Sequence, residues 1–126
     1  MIQLILHLFG DYVTQSDWMA QNKTKRSFPA ACHALVYSLP FLILQPSWTA
    51  FAVILGTHFL IDRFRLARYV VYAKNLMSPA STWHPWSDCS GTGYHKDSPA
   101  WLSVWLLIAA DNTIHLLINF LALKFL

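Results

Sequence analysis

The stretch "THFLIDRFRLAR" (residues 57–68) decides how this chain is interpreted, because it joins an apolar segment to a cluster of arginines. His58 and Asp62 lie four residues apart inside the apolar part. In a helix, this spacing places both side chains on one face. Ionisable residues in an apolar helix are costly and usually face a bundle interior, where they find partners. The stretch therefore predicts a helix that contributes to a polar site.

The composition around this stretch is that of a membrane protein. Of the 126 residues, 56% are hydrophobic and only 12% are charged, whereas a soluble domain has about 25% charged residues. The two cysteines are too few for a disulfide framework. The first apolar run has no basic region before it and no small-residue cleavage site, so we expect no cleavable signal.

Apolar runs separated by polar or proline-rich stretches predict four helices. Pro29 suits the first turn of the second helix, Pro40 should kink it, and Ser47 can cap the third. The third helical pattern continues through the arginines towards Lys74. We expect an all-α, four-helix transmembrane bundle in a single domain, with helices over about 2–15, 29–44, 47–74 and 99–126 and a long cytoplasmic loop over 75–98.

The distribution of charge predicts how such a bundle would be oriented. With four spans, eight of the nine basic residues fall on one side, and only Lys124 lies on the other. The positive-inside rule places the basic side in the cytoplasm. We therefore expect a multi-pass protein of the bacterial inner membrane with both termini periplasmic. The same basic residues suit either headgroup anchoring or phosphate binding.

Three of the predicted helices contain a histidine and an aspartate four residues apart. The order is reversed in the fourth helix, as an antiparallel helix requires if equivalent residues are to lie at equal depth. One such pair alone would fit a structural hydrogen bond, but three in this arrangement predict a histidine layer above an aspartate layer. The pairs are His7 and Asp11, His58 and Asp62, and Asp111 and His115, with His33 at the depth of the aspartates.

Imidazoles and carboxylates that converge in a dry bundle are typical ligands of a divalent metal. Zn, Mn or Fe suits the mixed set, whereas carboxylates alone favour Mg. Seven residues exceed the needs of one tetrahedral ion, so the site has enough ligands for two ions. A proton relay or ion pathway would use the same residue types. The predicted metal ligands are His7, Asp11, His33, His58, Asp62, Asp111 and His115.

Polar residues near this predicted site are candidates for binding a substrate. Gln15 lies one turn after Asp11, where a helix-end role is equally compatible with the sequence. Basic residues at the cytoplasmic side could hold a phosphate of a lipid headgroup or nucleotide. The candidate substrate-binding residues are Gln15, Lys23, Arg63 and Arg65. No separate catalytic acid or base can be assigned. His84, Cys89 and His95 in the loop match no strong zinc spacing.

Three motifs resemble a family of small bacterial and phage membrane proteins, the domain of unknown function 3307 family. They are "HLFGDYVTQSDWMAQNK" (7–23), "HFLID" (58–62) and "ADNTIH" (110–115). Asn112 departs from the family's usual "ADQ". The resemblance implies a polytopic membrane protein, loosely similar to membrane-bound metal-dependent hydrolases. It points to His7, Asp11, Gln15, Lys23, His33, His58, Asp62, Asp111 and His115.

Three functional hypotheses follow. The leading one is an inner-membrane, metal-dependent hydrolase with a site that opens to the cytoplasm. The second is a small metal or proton transporter, although the outer halves of the third and fourth helices look apolar. The third is a phage-encoded membrane protein that acts on a host partner, with a structural metal site. Membrane lipid is the expected partner, a homo-oligomer and a host membrane protein are considered, and no nucleic acid is expected.

Overall fold

The structure, a computed structural model, describes residues 1–126 and is entirely helical apart from its connections. The α-helices are α1 (Ile2–Leu8), α2 (Asp17–Asn22), α3 (Ser27–Ser38), α4 (Trp48–Phe64), α5 (Ala67–Asn75), α6 (Trp86–Cys89) and α7 (Ala100–Phe125). A π-helical turn (Phe9–Val13) continues α1, a 3-10 segment (Leu39–Leu44) continues α3, and a 3-10 turn (Ala80–Thr82) precedes α6.

The predicted second and fourth helices match α3 with its 3-10 continuation and α7. The α-helical part of the former ends at Ser38, two residues before Pro40, because proline cannot donate the hydrogen bond that a continuing α-helix requires. Gln45 then adopts a left-handed conformation, with φ of 49°, and ends the segment. The helix thus changes type near Pro40, where the sequence predicted a kink, and ends at Leu44, where the sequence predicted its end.

The prediction of one continuous helix over 47–74 is wrong, because α4 ends at Phe64 and α5 begins at Ala67. Between them, Arg65 has a φ of 53°, which lies in the left-handed region and interrupts the helical hydrogen-bond pattern. The predicted cap at Ser47 is confirmed, since its Oγ accepts the Ala50 N–H at 3.0 Å. Neither proline nor glycine marks the break at Arg65, so the periodic pattern contains no sign of it.

Short helical turns also lie in the regions that the sequence assigned to connections. Helix α2 was not predicted, although Ser16 caps it by accepting the Met19 N–H. The predicted loop over 75–98 contains the 3-10 turn and α6. These turns are too short for hydrophobic periodicity to reveal them.

The chain divides into two compact units. The first comprises residues 1–64 and 115–126, and the second comprises residues 65–114. The apolar core of the first unit brings together side chains from α1, α3 with its 3-10 continuation, α4 and α7, namely Leu6, Tyr37, Phe41, Ala50, Ile54 and Ala122. In the second unit, Arg65 and Arg68 donate to the carbonyls of Gly91 and Ser90, and these bonds hold α5 against the turn after α6.

Burial in this chain departs from that of a soluble protein at its histidines and at many large apolar residues. Four histidines are at most 1% exposed, whereas Phe28 is 72% exposed, Trp101 70% and Ile43 69%. Soluble proteins bury large apolar side chains and rarely bury ionisable ones. Two helical segments, Ser27–Leu44 and Ala100–Phe125, are long and apolar enough to cross a membrane. Two of the four predicted spans therefore meet this criterion, while Ile2–Val13 is apolar but shorter.

Candidate metal centre

Four buried side chains in the first unit converge on one point: Asp11, His33, His58 and Asp62, which we call the Asp/His cluster. Asp11 comes from the π-helical turn, His33 from α3, and the other two from α4. His33 and His58 are fully buried, and the two aspartates are 5% and 6% exposed. Three separate chain segments thus supply one enclosed set of nitrogen and oxygen donors.

The π-helical turn sets the direction of Asp11. Gly10 precedes it where the backbone passes so close to α3 that an added Cβ would lie 2.7 Å from the Tyr37 carbonyl oxygen. The Thr14 hydroxyl donates to the Gly10 carbonyl at 2.9 Å and satisfies it locally. Single π-helical turns occur frequently at functional sites, because the wider turn redirects a side chain. Glycine therefore permits the close approach that brings Asp11 to His33.

The distances within the Asp/His cluster are those of a ligand sphere. His33 Nε2 lies 3.2 Å from Asp11 Oδ1 and 3.2 Å from Asp62 Oδ2. His58 Nε2 lies 3.0 Å from His33 Nε2, 3.3 Å from Asp62 Oδ2 and 4.0 Å from Asp11 Oδ1. Tetrahedral ligands about 2.0–2.1 Å from an ion lie roughly 3.3–3.4 Å apart. Two imidazoles and two carboxylates at this spacing fit a divalent cation.

The histidine nitrogens that point away from this centre show which ring atom is available to an ion. The Nδ1 atoms of His33 and His58 are buried and have no hydrogen-bond partner. Because Nε2 of each ring faces the other donors, Nε2 is the atom available for coordination. Metal-bound imidazoles usually donate their second N–H to a carboxylate or carbonyl, and neither ring does so here. The structure thus supplies the inner ligands without this common outer support.

A second polar layer lies beside the Asp/His cluster in the same unit. The rings of His58 and His115 have centroids 4.4 Å apart, and those of His7 and His115 are stacked at 5.9 Å. Tyr37 stacks on His58 at 3.6 Å, and its hydroxyl lies 2.8 Å from His7 Nδ1. Asn119 Nδ2 donates to the same hydroxyl at 2.6 Å. This layer packs against the ring of His58 and restrains it.

Tyr37 and Asn119 were not predicted from the sequence, although a signal for both is present in it. Tyr37 follows His33 by four residues, and Asn119 follows His115 by four. The spacing that joins each histidine to an aspartate therefore also joins these two residues to histidines. A search for any polar residue four positions from a histidine, and not for aspartate alone, identifies both Tyr37 and Asn119.

The remaining predicted site residues have varied positions. Asp111 is partly buried on α7, one turn before His115, and falls in the second unit. The Oε1 atom of Gln15 is buried and has no hydrogen-bond partner.

The two predicted arginines bind neighbouring turns. Arg63 donates to the Thr24 carbonyl and the Ser27 hydroxyl, and Arg65 donates to the Gly91 carbonyl in the second unit. Both arginines therefore contact backbone or hydroxyl groups of neighbouring turns.

Lys23 contacts the Asp/His cluster directly. Its Nζ lies 2.7 Å from Asp62 Oδ2, 3.2 Å from His33 Nε2 and 3.6 Å from Asp11 Oδ1. From the sequence, Lys23 was expected to bind a substrate phosphate, and these contacts were not foreseen. The structure brings the lysine to the carboxylates themselves.

The fold and site together define an all-α protein with an enclosed Asp/His cluster and helices capable of crossing a membrane. The model of the family described as "Protein of unknown function (DUF3307)" matches residues 1–83, and the chain belongs to this family. The matched segment contains all four members of the Asp/His cluster and Lys23. No curated protein matches the chain, and no solved structure matches it.

Proposed function

We propose that this chain is a membrane metalloprotein of the bacterial inner membrane and that its Asp/His cluster binds a divalent metal for hydrolysis. The single observation that carries the proposal is the ligand-like spacing of the two imidazole nitrogens and two carboxylate oxygens. A donor set of two histidines and two aspartates suits Zn, Mn or Fe better than Mg, which favours oxygen ligands alone. The four donors of the Asp/His cluster suffice for one ion. A second ion would take its ligands from the histidine layer beside the cluster.

A four-span topology with periplasmic termini is part of the proposal. Its support is the position of eight of the nine basic residues on one side of such a topology. The burial of four histidines beside many exposed large apolar side chains adds support, because lipid accepts exposed apolar surface more readily than water does. Helix α4 has 17 residues, about 26 Å of helix, so it would cross a thinned bilayer.

Hydrolysis is supported by what the cluster offers beyond holding an ion. When bound, a divalent ion supplies the Lewis acidity that activates water and polarises a phosphoryl or acyl oxygen. A six-coordinate ion with four protein ligands keeps positions for water and substrate. The two carboxylates fix the cation, Tyr37 and His115 restrain the ring of His58, and Lys23 would approach the anionic group of a lipid or nucleotide phosphate.

A structural metal site is the second candidate, and one observation favours it. The four side chains of the Asp/His cluster belong to residues at most 6% exposed, and four protein ligands complete a tetrahedral zinc site of the structural type. The identity of the ion therefore separates the candidates. Tetrahedral zinc would favour a structural role, such as one in a phage protein that acts on a host partner, whereas a six-coordinate ion would favour hydrolysis.

The metal proposal can be tested by elemental analysis of the purified protein in detergent. We expect a stoichiometric divalent metal in the wild type, its loss in His58→Ala, and its retention in His84→Ala, which removes a histidine from the loop. Absence of metal from the wild type after growth and loading with Zn²⁺, Mn²⁺ and Fe²⁺ would disprove the proposal.

Hydrolysis needs its own measurement. We expect the Mn²⁺-loaded protein to release inorganic phosphate either from phosphatidate vesicles or from a nucleoside triphosphate, and His58→Ala to abolish the release. Bound metal with no phosphate release from either substrate would leave the structural site as the better proposal. A lower Tm after metal removal, with no change in phosphate release, would also favour the structural site.

A further inference from the structure

The position of Lys23 has a consequence for how a metal would enter the Asp/His cluster. Its ammonium nitrogen contacts three of the four donor residues, at 2.7 Å, 3.2 Å and 3.6 Å. These are the same Oδ and Nε2 atoms whose spacing fits an ion. A divalent cation at their centre and an ammonium group in its present position would repel each other at short range in a region of low dielectric.

Lys23 is also the member of this group that lies nearest to solvent. Its side chain is 17% exposed, whereas the side chains of Asp11 and Asp62 are 7% and 5% exposed and those of His33 and His58 are fully buried. Two buried carboxylates are costly without a compensating charge. The lysine supplies that charge from the more exposed side of the cluster.

Arg63 positions the turn that carries Lys23. The residue follows Asp62 directly and donates through Nη1 to the Thr24 carbonyl at 3.0 Å and through Nε to the Ser27 hydroxyl at 3.3 Å. The turn between α2 and α3 is thereby joined to the end of α4, which carries two cluster ligands. The long, flexible stem of Lys23 can still move its ammonium group without moving this turn.

We propose that Lys23 is an internal cation that competes with the metal for the Asp/His cluster and so sets the affinity of the site. The inference rests on the proposed metal site. In the absence of metal, the ammonium group neutralises the carboxylates. When metal binds, the ammonium group leaves the donor atoms and moves towards solvent, where it faces the anionic part of a substrate.

Equilibrium binding of Co²⁺, followed by its visible absorption, tests the proposal. Lys23→Met keeps the aliphatic stem and removes the charge, so we expect it to bind Co²⁺ at least about tenfold more tightly than the wild type. Lys25→Met is the matched control, because Lys25 is exposed in the same turn, and it should bind as the wild type does. Circular dichroism checks that each variant is folded.

The outcomes distinguish failure of the competition by Lys23 from failure of the proposed metal site on which it rests. Equal or weaker Co²⁺ binding by folded Lys23→Met, beside a wild type that binds Co²⁺, overturns the competition and leaves the metal site standing. Absence of Co²⁺ binding in the wild type and in both variants overturns both.

A measurement on the wild type covers the case in which Lys23→Met does not fold. Acylation of lysines, followed by peptide mass spectrometry, should show that Lys23 reacts severalfold faster after Co²⁺ is added, because its amine leaves the carboxylates. Lys25 should react at the same rate with and without the metal. Unchanged reactivity of Lys23 at saturating Co²⁺ would overturn the proposal.

Discussion

The two units contain histidines in contrasting surroundings. In the first unit, His33 and His58 are fully buried and their Nε2 atoms meet two carboxylates. In the second unit, the rings of His84 and His95 lie 4.1 Å apart, but His84 is exposed and the carboxylate of Asp97 near His95 is 79% exposed. Only the first set combines convergence, burial and opposite charge.

The cysteine of the second unit does not change this contrast. Cys89 is buried near the loop histidines and lines the same small pocket. Burial raises the pKa of its thiol, so forming the thiolate that a metal binds costs more here than at an exposed cysteine. Residue types alone therefore do not make a metal site. Helices that fix side-chain direction, together with burial of opposite charges, distinguish the first unit.

The largest expected effect comes from removing a carboxylate of the Asp/His cluster. Asp62→Asn would remove the carboxylate closest to the partly buried ammonium of Lys23, at 2.7 Å, and would also remove a partner of the fully buried His33, at 3.2 Å. We expect a loss of about 3–5 kcal/mol in unfolding free energy, measured by denaturant unfolding in detergent. The double variant with Lys23→Met should recover part of the loss. Asp17→Asn, at an exposed site, is the control, and an equal loss there would remove the contrast between buried and exposed charges.

Gly10→Ala tests whether close packing of α1 against α3 builds the site. The new Cβ would meet the Tyr37 backbone, so we expect a loss of about 1–3 kcal/mol and weaker metal binding. Gly56→Ala is the matched control, because its Cβ would meet nothing within 4 Å. Replacing a helical glycine by alanine at that position should add about 0.5–1 kcal/mol. Similar Tm shifts for both variants would contradict this account.

Tyr37→Phe tests the layer beside the cluster. It removes the hydroxyl that meets His7 and Asn119 but keeps the ring on His58. Because those buried groups lose a hydrogen-bond partner, we expect a loss of about 1–3 kcal/mol. Tyr72→Phe removes an exposed hydroxyl that donates to the His84 carbonyl, and it should cost less than about 0.5 kcal/mol. A Tm for Tyr37→Phe equal to or above that of Tyr72→Phe would contradict the stabilising role of the Tyr37 hydroxyl.

The smallest effect is expected in the loop. The Lys96 ammonium donates to Asp88 at 2.9 Å and lowers the pKa of that carboxyl below its ordinary 3.8. A lowered folded-state pKa contributes stability above the unfolded pKa, and this contribution is lost as the pH falls through the folded pKa. Asp88→Asn should therefore lower the Tm slightly at pH 7, and the difference should vanish at strongly acidic pH. A difference that widens on acidification would contradict the assignment.

Helical periodicity was sufficient to predict much of the Asp/His cluster. Four-residue spacing joined His58 to Asp62, and the position of His33, about one turn into the second predicted helix, placed it at the depth of the aspartates. The structure brings His33 within 3.2 Å of both Asp11 and Asp62. Such predictions succeed because an α-helix fixes rise and rotation, so residue spacing becomes spatial direction. The break at Arg65 escaped prediction because a single left-handed residue leaves no periodic signal.

By itself, the sequence determined the helical class, the extent of α7 and the choice of residues able to form a polar site. These follow from local hydrophobic period and residue chemistry. Tertiary structure alone decided that Lys23 reaches the carboxylates, that Tyr37 joins the histidine layer and that the rings of His84 and His95 meet each other. Those outcomes depend on how separate segments pack, since a lysine outside a helix has no direction until the turn that carries it, here bound by Arg63, is fixed.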